Sequence, residues 1–184
     1  VAVSLHAGFF ANPQFFPLGT YDLRTDEGEF LIDYLSQPIG YPSGVVNRVP
    51  VNGDMQLGLN QWASAISSAI QVPPAIELSI VRTFDPLTRQ VVVTVNGIGK
   101  EVLEGEIRLS IMLTESGIID AQEDLEAGGI VPDYVHKHVL RDMLTPSTGA
   151  NILEGIAVGQ TFSQTYSKTL EDIWVADDME IIAF

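Results

Sequence analysis

One segment, residues 39–49, constrains the fold more than any other part of the sequence; it reads Ile-Gly-Tyr-Pro-Ser-Gly-Val-Val-Asn-Arg-Val. Glycine permits positive φ and proline fixes φ, so the first half of the segment predicts a sharp turn. The two valines that follow favour extended structure. Because a cis X-Pro bond costs only about 0.5–1 kcal/mol, which tight packing can supply, we predict a cis bond between Tyr41 and Pro42.

The composition is that of a globular and strongly acidic chain of 184 residues. Hydrophobic residues make up 46% of it and charged residues 18%, which is enough apolar material for a core. The net charge of -15 makes nucleic acid and an anionic membrane surface poor partners, because both attract clusters of Lys and Arg. Since there is no cysteine, disulfides and a cysteine nucleophile are excluded within these residues. Both ends read as strands, so we expect the chain to be part of a longer protein.

The first half, residues 1–72, combines short strands with two helices. Val1 to Leu5 is apolar and predicts a strand. Thr25 is suited to cap a first helix and Asn60 a second one. The loop before the first helix is rich in phenylalanine, with Phe9, Phe10, Phe15 and Phe16. Such a loop either folds back onto the core or forms a binding surface.

The second half, residues 75–184, follows a stiff Pro73-Pro74 pair and changes to a period of two. Alternating segments separated by turn signals predict an antiparallel β-sandwich. The longest alternation predicts one strand with an inward-facing row, which consists of Ile107, Leu109, Ile111 and Leu113.

His136 and His138 are the candidate metal ligands. Residues i and i+2 of a strand share a face, so both imidazoles could meet one ion. No third ligand has a diagnostic spacing, and the alternative is a pair of half-buried histidines packed in the sheet. The sequence therefore predicts no cofactor. It also lacks a phosphate-binding loop, a dinucleotide fingerprint and a G-x-S-x-G elbow, so no catalytic residue is predicted.

Five motifs resemble, in order, the outer-membrane-protein-28-related family of Gram-negative exported lipoproteins. They begin at His6, Leu23, Gly40, Leu113 and Tyr134 and read HAGFFA, LRTDEG, GYPSGVVNR, LTESGIID and YVHKHVLR. The resemblance implies an exported protein that is associated with the outer membrane, the periplasm or the cell surface. It implies membrane attachment only through a lipidated N-terminal residue that this sequence does not contain.

The same resemblance implies a thioredoxin-like region, in which Pro42 takes the position of the cis-proline, followed by the β-sandwich. The expected fold class is therefore α+β. A partial thioredoxin-like α/β region, without its first strand and helix, would cover residues 1–72. An antiparallel immunoglobulin-like β-sandwich would cover residues 75–184.

Our leading functional hypothesis is a non-enzymatic binding or assembly module of the cell envelope with a protein or peptide partner. The candidate contact residues are Phe9 and Phe10 of the phenylalanine-rich loop together with Tyr41 and Pro42. One alternative is a thiol-disulfide oxidoreductase whose cysteines lie upstream of Val1. Another is a metal-binding protein that uses His136 and His138.

Overall fold

The protein is built mainly from short antiparallel strands. The computed structural model describes residues 1–14 and 19–184, so Phe15 and Phe16 lie outside the described residues. In this part of the chain there are two α-helices, Asp26–Tyr34 (α1) and Leu59–Ala69 (α2), and two short 3-10 helices, Phe9–Ala11 and Ala176–Asp178. The strands are Ser43–Gly44 (β1), Leu57–Gly58 (β2), Ile76–Asp85 (β3), Gln90–Gly99 (β4), Leu103–Leu109 (β5), Ile111–Glu115 (β6), Ile118–Asp124 (β7), Gly129–His136 (β8), Val139–Met143 (β9), Ala150–Ile156 (β10), Thr161–Thr169 (β11) and Met179–Ala183 (β12).

These strands form several small sheets rather than one large one. Two sheets have three strands each, in the orders β11-β4-β3 and β12-β6-β9. Three two-stranded ribbons pair β1 with β2, β5 with β10, and β7 with β8. Every one of these strand pairs is antiparallel, as the alternating pattern of the second half predicts.

The main core lies where the two three-stranded sheets face each other. Strand β4 contributes three valines that are at most 5% exposed, and β6 contributes Ile111 and Leu113, which are at most 1% exposed. Alternation explains this arrangement, because every second side chain of a strand points to the same face. The buried members of this cluster are Val91, Val93, Val95, Leu109, Ile111, Leu113, Leu170 and Trp174.

Helix α1 covers the opposite face of the β12-β6-β9 sheet. The Thr25 side chain accepts a hydrogen bond from the Gly28 N–H at 2.9 Å, so the predicted N-cap is confirmed. Leu31 packs against Met112 and Leu140 in a second, smaller core. Phe30 and Tyr34 are 45% and 60% exposed and stack on each other, so only part of the apolar surface of this helix is buried.

The N-terminal segment extends the same sheet without forming a strand of its own. Ser4 bridges Val139 of β9 in parallel orientation, and its N–H donates to the His138 carbonyl at 2.8 Å. Two residues later, His6 makes a parallel bridge to Arg24, just before α1. The predicted strand over Val1 to Leu5 is therefore reduced to isolated bridges, which fix the position of His6.

The expected α+β fold class is wrong. The described residues are mostly strand, contain two α-helices and show no thioredoxin-like α/β pattern. In such a pattern a central sheet would run through the first half, but β1 and β2 have only two residues each and pair only with one another. The second half consists of several small antiparallel sheets instead of an immunoglobulin-like sandwich. The thiol-disulfide alternative, which depended on the thioredoxin-like pattern, loses its structural support.

The long alternating row is also divided between two strands. Ser110 separates β5 from β6, and its backbone exchanges two hydrogen bonds with Phe184, at 2.8 and 3.0 Å. Ile107 and Leu109 both lie on β5 and pair with Leu153 and Ala150 of β10, and of the two only Leu109 belongs to the main core. The boundary predicted between residues 72 and 75 stays a prediction.

Leu109 provides a test of the main core. It is 2% exposed, so Leu109→Ala should lower the free energy of unfolding by about 2–5 kcal/mol, as truncations of buried leucines do. The measurement is equilibrium unfolding in urea. The control is Leu87→Ala at a side chain that is 94% exposed, which should change stability by less than about 0.5 kcal/mol. Equal effects of the two substitutions would refute this description of the core.

Candidate functional site

Three aromatic residues from two separate segments form an exposed cluster, which we call the aromatic cluster: Phe9, Phe10 and Tyr41. The ring centroids of Phe9 and Phe10 are 5.7 Å apart, and those of Phe10 and Tyr41 are also 5.7 Å apart, both edge to face. The three side chains are 57%, 62% and 52% exposed. The predicted cis bond between Tyr41 and Pro42 is confirmed. The structure thus brings together the residues that the sequence offered as partner contacts.

Both segments of the aromatic cluster are held by polar contacts to the rest of the chain. On the first segment, the Gly8 N–H donates to the carboxylate of Glu29 on α1, at 3.0 and 3.1 Å. Gly8 has a φ of 75°, and a Cβ there would lie 3.1 Å from the Tyr41 hydroxyl, so glycine also permits the close approach of the two segments.

The second segment is fixed just after Pro42. The Ser43 hydroxyl contacts the Gln56 side chain at 2.8 Å, and Ser43 pairs with Gly58 across the β1-β2 ribbon. Gly44 lies against the ring of Trp62, where a Cβ would come within 2.8 Å of Nε1. The Trp62 indole N–H in turn donates to the Leu57 carbonyl at 2.9 Å. Gly44, one of the glycines that predicted the turn, is therefore also required because the Trp62 ring leaves no room for a Cβ.

A second group of side chains lies at the end of strand β8. It contains two histidines, His6 and His136, that are far apart in the sequence. The rings of His6 and His136 are 5.1 Å apart, and Tyr134 contacts His136 at 4.9 Å, both edge to face. His136 is 4% exposed, and its Nε2 has no hydrogen-bond partner among the described residues. A depression beside the pair is also lined by Ser4, Gln122 and Lys137.

Burial controls the protonation of both histidines. Desolvation, followed by the nearby His136 and Arg141, lowers the pKa of His6 to about 4. Desolvation also lowers the pKa of His136, although the charge of Asp120 opposes this effect. Both rings are therefore neutral at pH 7.

Asp120 anchors the chain before α1 to the same ribbon. Its carboxylate accepts hydrogen bonds from the backbone N–H groups of Thr20, Tyr21 and Ala121 at 2.8 to 2.9 Å. Burial alone would raise the pKa of Asp120, but these donors outweigh it and the pKa is lowered. The sequence alone did not single out Asp120 for this role, because Thr20 and Tyr21 lie about a hundred positions away from it.

The two histidines predicted as a metal pair have different neighbours. Strand β8 ends at His136, and His138 has a φ of 54°, so strand alternation does not extend to it. The His138 Nδ1 atom lies 2.6 Å from a Glu180 carboxylate oxygen instead. Over residues 1–14 and 19–184, no group of three or more His, Asp or Glu side chains is placed to hold a metal ion.

Comparison with known proteins shows similarity to one family. A protein-family model described as outer membrane protein Omp28 matches residues 34–184, which is well over half of the chain. Searches of curated proteins and of solved structures found no match. Within the described residues, no helix combines the length and the apolar character needed to cross a membrane.

The lowered pKa of His6 predicts a stability that depends on pH. Its ordinary pKa is 6.5 and its folded pKa is about 4, so between these values the unfolded chain binds more protons than the folded protein. Stability should therefore fall as pH is lowered from about 6.5 to about 4, with a slope from one group of at most ~1.4 kcal/mol per pH unit. His6→Gln should flatten this slope in urea unfolding measured across the window.

A matched control is Val135→Ala, next to His136 on the same strand, at a side chain that is 46% exposed and does not titrate. This variant should keep the slope of the unmodified protein. A slope that is the same in His6→Gln as in the unmodified protein would show that His6 does not carry the effect.

Proposed function

The chain belongs to the Omp28 family of outer membrane proteins, and we propose that it is a non-enzymatic binding or assembly module of the bacterial cell envelope. Family membership makes it an outer-membrane-associated or envelope protein. We further propose that it is exported and reaches the membrane through a lipid anchor rather than through its folded surface. The net charge of -15 supports this route, because anionic lipid head groups repel such a surface.

The observation that carries the proposal is the aromatic cluster. Aromatic side chains are enriched at protein interfaces and supply much of their binding energy when a partner covers them. Here each of the three aromatic side chains is more than half exposed in the isolated chain. A protein or peptide partner in the envelope would bury apolar area on this cluster at about 25 cal/mol per Å².

Local fixation of the two segments also supports a binding role. Glu29 holds the chain before Phe9, and Gln56 holds the chain after Pro42, so the aromatic cluster does not need to be assembled when the partner arrives. A surface that is already ordered avoids part of the entropy cost of binding. The histidine pair is a weaker candidate for the functional site, because His136 is 4% exposed and packs on His6.

Site-specific crosslinking tests this proposal. A photoreactive amino acid in place of Tyr41 should form a discrete adduct with an envelope protein when the full-length protein is irradiated in outer-membrane preparations. Phe10→Ser, combined with the same label, should reduce the adduct by about tenfold, because loss of one buried aromatic contact costs at least ~1.4 kcal/mol. The measurement is the yield of the crosslinked band, whose partner is identified by mass spectrometry.

The control places the same label at Tyr34, which is 60% exposed and stacks on Phe30 of α1. It samples an exposed aromatic pair outside the aromatic cluster and should give no discrete adduct. Equal adducts from both positions, or none from position 41, would contradict the assignment of the contact surface.

A further inference from the structure

Strand β3 is an edge strand ten residues long, Ile76–Asp85. It pairs along its whole length with β4, from Ile76 opposite Gly99 to Asp85 opposite Gln90, without a bulge. No strand within residues 1–14 and 19–184 pairs with its other side. An open edge of this kind is a template for pairing with another chain.

The backbone bonds of β4 show which groups of β3 face this open edge. The Gly99 N–H donates to the Gln160 carbonyl at 2.9 Å, and the Gly99 carbonyl accepts from Gly159 at 2.8 Å. The odd-numbered residues of β4 therefore bond toward β11 and the even-numbered ones toward β3, because these directions alternate along an antiparallel strand. Since even positions of β4 stand opposite odd positions of β3, the even-numbered residues of β3 direct their N–H and C=O groups outward.

The sequence of β3 leaves this edge largely unprotected. Protected edges carry proline, bulges or several charges, whereas β3 has no proline and its ladder to β4 is regular. Ile80 and Val81, at its middle, are 39% and 59% exposed. Glu77 is paired with Lys100 at 2.5 Å, which leaves Arg82 and Asp85 as the remaining charged side chains of the strand.

We propose that β3 pairs antiparallel with β3 of a second copy of this chain, on a twofold axis that passes through Ile80. In this register Ile80 is opposite its own copy, Leu78 is opposite Arg82, and Ile76 is opposite Phe84. All of these are even-numbered positions, so both strands offer N–H and C=O groups to each other. Two sheets of three strands then become one continuous sheet of six.

Charge disfavours the neighbouring register whose axis lies at Val81. A twofold axis at Val81 would also pair the outward N–H and C=O groups of the two strands. However, it places Glu77 directly opposite Asp85 of the other copy, and like charges opposite one another destabilise a strand pair. With the axis at Ile80, Glu77 is opposite Thr83 and no two like charges are directly opposite. A second copy therefore fits this edge without directly opposed like charges.

Cysteine substitution tests both the pairing and its register, because these 184 residues contain no cysteine. Opposed residues of a hydrogen-bonded antiparallel pair have Cα atoms about 5.5 Å apart, which a disulfide can span. Ile80→Cys should form a crosslinked dimer under mild oxidation, whereas Val81→Cys and Leu87→Cys should stay monomeric on non-reducing gels. A crosslink in Val81→Cys but not in Ile80→Cys would overturn the proposed register.

Sedimentation velocity of the unmodified protein over a range of concentrations tests the association itself. We expect a reversible dimer that strengthens with added salt, because each copy carries a net charge of -15 and salt screens their repulsion. Ile80→Lys, which opposes two lysines at the axis, should weaken the dimer by at least about tenfold.

Leu87→Lys is the matched control for this experiment. It changes an aliphatic residue to the same cation at a side chain that is 94% exposed, in the turn beyond the strand, and it should leave the dimer intact. A protein that is monomeric at every concentration and gives no crosslink from Ile80→Cys overturns the proposal, and so does equal weakening by the two lysine substitutions. A failure of this kind leaves the role of the aromatic cluster unaffected, because β3 and the cluster share no residues.

Discussion

Burial of strand β6 on both of its faces is the constraint on which the rest of the structure depends. All five of its residues, Ile111–Glu115, are buried. Ile111 and Leu113 point into the main core between the two three-stranded sheets, while Met112 points into the smaller core beneath α1. A strand that is covered on both faces needs layers on both sides, so this one segment requires the second sheet on one side and helix α1 on the other.

The end of β6 places a charge inside the protein, and the surrounding chain satisfies it. Glu115 accepts a hydrogen bond from the Val175 N–H at 2.8 Å and pairs with Arg141 at 3.3 Å. The Arg141 guanidinium also lies 5.5 Å from the centre of the Trp174 ring, which belongs to the main core. Removing one partner of a buried pair is costly, because the other charge is left without compensation. This network connects β6, β9 and the segment before β12 at the edge of the core.

The surfaces to which we assign functions lie outside this double-sided core. The aromatic cluster comes from a short 3-10 helix and a bend that are fastened to α1 and to the β1-β2 ribbon. Strand β3 is one of the two outer strands of its sheet and exposes its backbone edge. The histidine pair joins the N-terminal segment to the β7-β8 ribbon, and His136 is buried. The core thus holds the surrounding segments in place. The candidate contacts are the aromatic rings and the outward N–H and C=O groups of β3 that the core leaves exposed.

The sequence by itself determined those features that depend only on residues close together in the chain. Thr25 caps α1 because its side chain reaches the N–H group three residues ahead, and Tyr41-Pro42 is cis in a segment bounded by two glycines. The alternating valines of β4 determined a strand with one buried face, because every second side chain of a strand points to the same face. Tertiary structure alone decided the contacts between distant residues. These include the packing of His6 on His136, the contact of Phe10 with Tyr41 and the absence of a thioredoxin-like sheet. Such contacts depend on which faces meet after the chain has reversed direction, and no spacing within a single segment contains that information.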